Sequence, residues 1–226
     1  MLMPFFCPAS GVVFSSLTFV DSTTGSSSTI VVPATAQAGD VGLLFQRAAD
    51  SGTGSVTPSG WTTITDGVGG AQSTRCMVSF KILTSGDPGA TLTGMNSGFN
   101  TKAIAIFRPN SSISGYELGP TTPSGDTGNL TTGDYTQSIT NGNPPAMTCT
   151  ASNSGNPVTL VIGASASNAG TCAPTNSLVS AGTNYATSVR QAAYVAIQTG
   201  HGSDLIYDEV DTGTATVAQT IWIGFF

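Results

Sequence analysis

The chain is poor in charged residues, and this scarcity limits what it can bind. Only 8% of its 226 residues are Asp, Glu, Lys or Arg, against about 25% in an average soluble domain. The six basic residues are outnumbered by twelve acidic ones and stand singly. Because nucleic-acid binding relies on clustered Lys and Arg, we expect no nucleic-acid partner. A lone soluble protein usually keeps a charged surface, so a neutral surface rich in Ser, Thr and Gly favours close packing against neighbouring proteins.

Good helix formers and long apolar runs are also scarce. With two Glu and two Lys residues in the chain, a solvent-facing helix surface is difficult to build. No stretch of about 20 apolar residues is present, so we expect no membrane partner. The apolar start, Met1 to Pro8, has no basic residue before it and is interrupted by two prolines. It therefore lacks the pattern of a secretion signal.

Cysteine and histidine are too few for the usual metal and disulfide frameworks. The four cysteines are widely spaced and form no C-x-x-C motif, which argues against a disulfide scaffold and a structural zinc site. Cys149 and Cys172 pair if their strands are neighbours, and otherwise all four are buried thiols. The single histidine, His201, lies in a Gly-rich turn, and neither a G-x-S-x-G nor an H-E-x-x-H motif is present.

The acidic residues do not form a recognisable catalytic or metal-binding set. In a strand, Asp208 and Glu209 point to opposite faces, which is unsuitable for paired carboxylates. Asp204, Asp208 and Asp211 could offer oxygen ligands to calcium, but their spacing does not match a calcium-binding loop. We therefore expect no catalytic residues, no cofactor and no metal, and a protein that is not an enzyme.

What the chain does contain is a strand-forming composition. Val, Ile, Phe and Thr are abundant and 39% of residues are hydrophobic, which favours strands and argues against disorder. Strand-like segments recur about every 10 to 15 residues between turn-forming clusters, a spacing typical of sandwiches. We expect an all-β fold, an antiparallel β-sandwich of jelly-roll type. The predicted strands are 12–20, 29–32, 41–47, 61–65, 74–83, 90–93, 102–108, 135–140, 146–150, 158–165, 189–199, 204–210 and 215–226.

The order of these segments hints at an internal repeat. In the first half, the runs that begin at Val41, Arg75 and Lys102 follow one another at spacings close to those of three runs in the second half. We expect one domain over residues 1–226, within which the halves 1–110 and 135–226 share one plan. The Ser, Thr, Gly and Pro-rich stretch 111–134 would connect them as a long loop or crossing segment.

A set of turn and strand motifs resembles a known group of proteins. Gly39-Asp40 precedes an apolar strand, Pro58-Ser59-Gly60-Trp61-Thr62 follows it, and Ser85-Gly86-Asp87-Pro88 ends a later strand before the apolar segment Ala103 to Phe107. From Val31 to Asn110 this order resembles phage-encoded β-sandwich proteins of the virion. The resemblance implies a decoration or tail-associated protein that is assembled in the host cytoplasm and resides in the virion. It provides no catalytic residue, because its motifs are turns and strand starts.

These observations favour a non-enzymatic virion structural protein. Its most concrete form is a capsid decoration (cement) protein that stabilises the phage particle through multivalent contacts. Its partners would be the major capsid protein or other virion proteins, and further copies of itself as a homo-oligomer. The alternative is a tail- or fibre-associated protein, or a carbohydrate-binding adhesion protein whose partner is a host surface glycan.

Aromatic residues are the candidates for contact with these partners. Exposed apolar residues near the chain ends would mark an interface, although the same rings could instead pack in the core. The interface candidates are Phe5, Phe6, Trp222, Phe225 and Phe226. The candidates for glycan contact are Tyr116, Tyr135 and Tyr185, which lie in or beside polar loops.

Overall fold

Every element in the described part of the chain is a β-strand. The computed structural model describes residues 15–25, 28–48, 56–69, 74–95, 101–118, 122–123, 135–138, 147–150, 157–166, 182–184, 191–199, 204–207 and 215–226. The strands are β1 Leu17–Gly25, β2 Ile30–Val31, β3 Val41–Ala48, β4 Thr62–Gly69, β5 Thr74–Ile82, β6 Thr91–Leu92, β7 Thr101–Pro109, β8 Tyr116–Leu118, β9 Thr122–Pro123, β10 Tyr135–Ser138, β11 Met147–Thr150, β12 Pro157–Ala166, β13 Gly182–Asn184, β14 Gln191–Thr199, β15 Asp204–Tyr207 and β16 Ala215–Phe225.

The first half of the chain forms an antiparallel five-stranded sheet in the order β1-β7-β3-β5-β4. The central strand β3 carries the apolar run VGLLFQ, and all six of these residues are buried. A strand buried on both faces reads as a nearly continuous apolar run rather than an alternating one. Both outer strands contain a register shift, in β1 between Phe19 and Asp21 and in β4 between Thr63 and Thr65. Such bulges weaken an edge as a template for further pairing.

Each face of this sheet supports its own apolar cluster. One cluster contains residues of β1, β3, β4, β5 and β7 together with Ile223 and Phe225 from the end of β16. We call it the inner cluster; its members are Leu17, Val41, Leu43, Phe45, Ile64, Val78, Phe80, Ala103, Ala105, Phe107, Ile223 and Phe225. The outer cluster, on the other face, is Ile30, Val32, Ala36, Leu44, Trp61, Leu83, Met95, Ile104 and Ile106.

The second half repeats the strand pairings of the first. Its main sheet has the order β10-β16-β12-β14-β13, so both sheets place their first, fifth, second, fourth and third strands side by side. The short strands agree as well, since β2 pairs with β6 and β11 pairs with β15. All of these pairs are antiparallel. Five pairings in one half therefore have a counterpart in the other.

Strand β8 connects the two halves. Although it follows the first sheet in the chain, it pairs with β16, with Tyr116 opposite Phe225 and Leu118 opposite Ile223. The end of β16 in turn contributes to the inner cluster of the first sheet. Backbone hydrogen bonds tie this end further, from Ser15 N to Phe225 O at 2.6 Å and from Gly115 N to Phe226 O at 2.8 Å.

In the described part of the chain the observed strands agree with a β-rich fold, and they correct some details. The segment 191–199, which could also be read as a helix, is strand β14. The stretch 111–134 was expected to be a long loop or a crossing segment, and it contains the short strands β8 and β9. These strands are two or three residues long and show no periodicity of their own. They exist because β16 and β11 offer them partners that are distant in sequence.

Candidate functional site

Three carboxylates in the first half form ion pairs at turns or between neighbouring strands. At the turn before β3, buried Asp40 receives two parallel hydrogen bonds from the Arg108 guanidinium, each 2.9 Å long. The same carboxylate accepts the Gln37 backbone N–H at 2.8 Å and so closes the turn. Bidentate Arg–carboxylate pairs have a fixed geometry. Asp40 of the Gly-Asp motif therefore anchors the start of β3 to β7.

Asp87 holds the turn after β5 in a similar way. Its carboxylate accepts hydrogen bonds from the Thr84 backbone N–H at 2.6 Å, from the Thr84 hydroxyl at 2.8 Å and from Lys81 Nζ at 2.6 Å. Burial raises the pKa of Asp87, while the hydrogen bonds from Lys81 and Thr84 lower it. Together the hydrogen bonds outweigh burial, so the pKa of Asp87 lies below its usual value. The Ser-Gly-Asp-Pro motif is thus a structural turn.

The third pair joins the edge strand β4 to β5. Arg75 Nε and Nη2 donate to the two oxygens of Asp66 at 2.6 and 2.7 Å. The Asp66 hydrogen bond raises the pKa of Arg75, and burial opposes this rise. Both side chains are partly exposed, so solvent screens this pair and its contribution to stability is small. In all three pairs the charged residues hold a turn or two strands of the sheet together.

A different group of polar side chains lies on the outer face of the five-stranded sheet. Gln46 of β3 and Lys102 of β7 are direct cross-strand partners, and each is 0% exposed. Ser79 of β5 is also fully buried on this face, opposite Leu44. The two side-chain polar atoms of Gln46 and the Ser79 hydroxyl have no hydrogen-bond partner. Buried polar groups are nearly always paired, so the Gln46 amide and the Ser79 hydroxyl are exceptions.

Burial alters the acidity of the lysine in this row. The pKa of Lys102 falls from its ordinary value to about 8 because burial penalises the charged ammonium. A larger fraction of neutral amine is therefore present near neutral pH than for an exposed lysine. We refer to Gln46, Ser79 and Lys102 as the buried polar row. Sequence reasoning missed it, although a Gln and a Lys in otherwise apolar strands are a visible signal.

A second notable group is aromatic and lies where the two halves meet. The Tyr116 ring packs edge-on against Phe80, with centroids 4.6 Å apart. The Phe225 ring also packs edge-on against Phe80, with centroids 5.7 Å apart. Tyr116 nevertheless remains 40% exposed. On the edge strand β1, Phe19 is 42% exposed while its ring touches Phe107. Tyr116 and Phe19 therefore offer aromatic surface to solvent on a fixed framework.

The aromatic residues that the sequence singled out differ in how far the structure exposes them. Phe225 is 1% exposed and lies in the inner cluster, so its ring follows the alternative of core packing and is not accessible as an interface residue. Phe226 is partly buried, and Tyr116 is exposed on β8. Trp61 packs in the outer cluster.

Several candidates lie outside the described residues or are described only in their backbone. The backbones of Tyr135 and Trp222 belong to β10 and β16, while their side chains are outside the described part. The remaining candidates outside it are Phe5, Phe6, Cys172, Tyr185, His201, Asp208, Glu209 and Asp211. Among the residues that are described, no group of three or more His, Cys, Asp or Glu side chains could hold a metal ion.

Comparisons with known proteins give no match, whether by protein-family models, among curated proteins or among solved structures. In the part of the chain that the structure describes, no helix is long and apolar enough to cross a membrane.

Proposed function

We propose that this protein is a non-enzymatic structural component of a phage particle, most concretely a capsid decoration protein. The observation that carries the proposal is the surface of strand β1. This edge strand presents Phe19 and the hydroxyl side chains of Thr18, Ser22 and Thr24 to solvent. Aromatic residues are enriched in protein–protein interfaces, so this exposed ring suits packing against a neighbouring protein.

The use of charge agrees with this role. The ion pairs of Asp40, Asp66 and Asp87 hold turns and strands together. The major capsid protein, other virion proteins and further copies of the chain are the proposed partners. Many modest contacts of this kind would add up through multivalency.

We further propose that the fold is a β-sandwich built from two halves of the same plan. In support, the strand pairings of residues 17–109 recur in residues 135–225. Ile223 and Phe225 of the second sheet share the inner cluster with the first sheet, as expected for two sheets that pack face to face. A rigid duplicated framework would hold several contact surfaces in fixed positions.

Co-sedimentation with capsids tests the decoration role. The purified chain is mixed with phage capsids that lack their decoration protein, and binding is measured by sedimentation and by capsid resistance to heat. We expect Phe19→Asp and deletion of residues 1–8 to weaken binding at least tenfold, while Ser85→Asp, in an exposed turn, binds normally. No binding by the unaltered chain would overturn the capsid role.

A glycan-binding tail or adhesion protein is the second candidate, and Tyr116 favours it. Its half-exposed ring is held by Phe80, and fixed aromatic rings of this kind stack on apolar sugar faces. A glycan array probed with the full chain would show binding that Tyr116→Ala abolishes and Phe19→Ala preserves. Silence on the array together with capsid binding would reject this candidate in favour of decoration.

A further inference from the structure

Strand β1 forms an edge of the first sheet, and its backbone decides whether another strand can pair there. In the part of the chain that the structure describes, β1 has β7 as its only strand partner. The side chains of Thr18, Ser22 and Thr24 are exposed along it, and Asp21 is its single charged residue. An edge strand presents unpaired N–H and C=O groups, which are a template for pairing with a further strand. The sheet could therefore be extended at β1.

A hydrogen bond within β1 shows which amides face this free side. Asp21 Oδ1 accepts the Ser22 backbone N–H at 2.8 Å, so this amide points away from β7. In an antiparallel ladder the backbone groups of successive residues alternate between the two sides of a strand. The Thr24 amide therefore points to the same free side. Beyond the bulge, Ser22 and Thr24 are the residues that an added strand would have to bind.

The Asp21 carboxylate covers the first of these amides and is itself held in place. Its other oxygen, Oδ2, accepts the Thr35 hydroxyl at 2.7 Å. The hydrogen bonds from Thr35 and Ser22 lower the pKa of Asp21, so the group stays an anion at neutral pH. An added strand would bring a carbonyl oxygen to the Ser22 N–H, and this oxygen would compete with a charged acceptor for a single donor.

The β1 strand of a second copy of the chain would otherwise fit this edge. Antiparallel pairing centred on Thr23 places Ser22 of one copy opposite Thr24 of the other, so that the outward backbone groups of both residues pair. Ser and Thr side chains that face each other across two strands interact favourably. The same register places Asp21 opposite Gly25, so no like charges lie directly opposite each other. Side-chain repulsion therefore does not prevent self-pairing in this register.

We propose that Asp21 is an autoinhibitory cap that keeps copies of this chain from joining edge to edge through β1. The bulge between Phe19 and Asp21 interrupts the first part of the edge, and the carboxylate blocks the regular part beyond it. Partners then contact β1 through side chains such as Phe19, and no strand is added to the sheet. The cap acts in the free chain, so it does not depend on the capsid role.

Sedimentation equilibrium of the full chain, without capsids, tests the cap. Asp21→Ala should raise the association constant of two copies at least about tenfold over the unaltered chain, because the Ser22 amide becomes free to pair. Asp66→Ala is the matched control, since it removes the same charge from the opposite edge strand, β4. Adding Thr24→Pro to Asp21→Ala should return association to the original level, because proline lacks the outward N–H and breaks no bond to β7.

Amide hydrogen exchange locates the contact. In the unaltered chain the Ser22 amide should exchange more slowly than the Thr24 amide, because Asp21 accepts its hydrogen bond. In Asp21→Ala at low protein concentration the Ser22 amide should exchange rapidly. Both amides should then become protected as the protein concentration rises, since the edges pair.

Three results would overturn the proposal. One is an Asp21→Ala chain that associates no more strongly than the unaltered chain. Another is an equal rise in Asp66→Ala, which would assign the effect to net charge. The third is association of Asp21→Ala without protection of Ser22 and Thr24, which would place the contact away from β1. Because capsids are absent, failure of the decoration role would not change any of these outcomes.

Discussion

At the scale of single residues, the close approach of Trp61 to Gly42 shows how tightly the outer face is packed. The Trp61 ring lies over β3 so closely that a Cβ atom at Gly42 would be 2.9 Å from Trp61 Cη2. The preceding residue, Gly60, has a φ of 79°, a conformation that glycine adopts without strain. The Pro-Ser-Gly-Trp motif thus turns the chain and places the Trp61 indole against Gly42, where no side chain is in the way.

Gly42→Ala should therefore destabilise the protein by about 1–3 kcal/mol, as overpacking of a core does. Gly86→Ala is the matched control, because a Cβ at Gly86 would meet nothing within 4 Å. The free energy of unfolding is measured by urea titration. Equal stability of the two variants would show that Trp61 can move away without cost.

The Asp87 turn predicts a response to acid. The pKa of Asp87 is lower in the folded chain than in the unfolded one. Its contribution to stability is therefore fully present above about pH 4, near the ordinary Asp pKa, and is lost as the pH falls through the lower folded value. Asp87→Asn should lose about 1–2 kcal/mol at pH 7 and should show a smaller further loss at acidic pH. Urea midpoints at pH 7 and pH 3 measure both effects, and parallel pH profiles would contradict the assignment.

At the scale of elements, the end of β16 belongs to two structural units. It pairs with β8 and β12 through its backbone, and it inserts Ile223 and Phe225 into the inner cluster of the first sheet. The short strand β8 is held by its pairing with β16 and by the contact of its Tyr116 ring with Phe80. The C-terminal part of β16 therefore acts as a cover for a sheet formed by the first half of the chain.

Phe225→Ala should remove a buried ring and cost about 3–5 kcal/mol. Phe226→Ala changes a partly exposed ring and should cost clearly less. Thermal unfolding followed by circular dichroism distinguishes the two variants. If Phe226→Ala were the more damaging change, the placement of Phe225 in the core would be wrong.

At the scale of the whole molecule, the two halves share their strand pairings but depend on each other for burial. Residues 1–118 contain all strands of the first sheet, yet they lack Ile223 and Phe225, which cover part of its inner face. They also leave β8 without its partner β16. We therefore expect that the first half is not self-sufficient, although its topology resembles that of the second half.

A fragment of residues 1–118 should consequently expose apolar surface. We expect it to bind the dye ANS and to unfold at a lower temperature than the full chain, which should unfold in one cooperative transition. Calorimetry of the two proteins measures the difference. A fragment with the melting temperature of the full chain and no dye binding would indicate that the second half contributes nothing to the inner cluster.

Local patterns in the chain were sufficient to predict most of the strands of the first sheet. The apolar run of β3 and the alternation of β5 are visible in the residues themselves, because side-chain period and burial are linked in strands. The turn motifs at Asp40 and Asp87 were equally readable, since their hydrogen bonds join residues three apart. The role of the aromatic chain end could not be predicted, because the local pattern around Phe225 fits either a core residue or an interface residue.

The strand composition, the scarcity of charge and the turn chemistry of this protein were determined by its sequence alone, because each depends on residues close together in the chain. Only the tertiary structure decided which polar residues became buried and which aromatic rings stayed exposed. Low charge looked like a property of the surface, yet Lys102, one of two lysines, is inside the sheet beside Gln46. That pairing joins residues far apart in sequence, and register between distant strands is set by burial of the whole sheet rather than by any local signal.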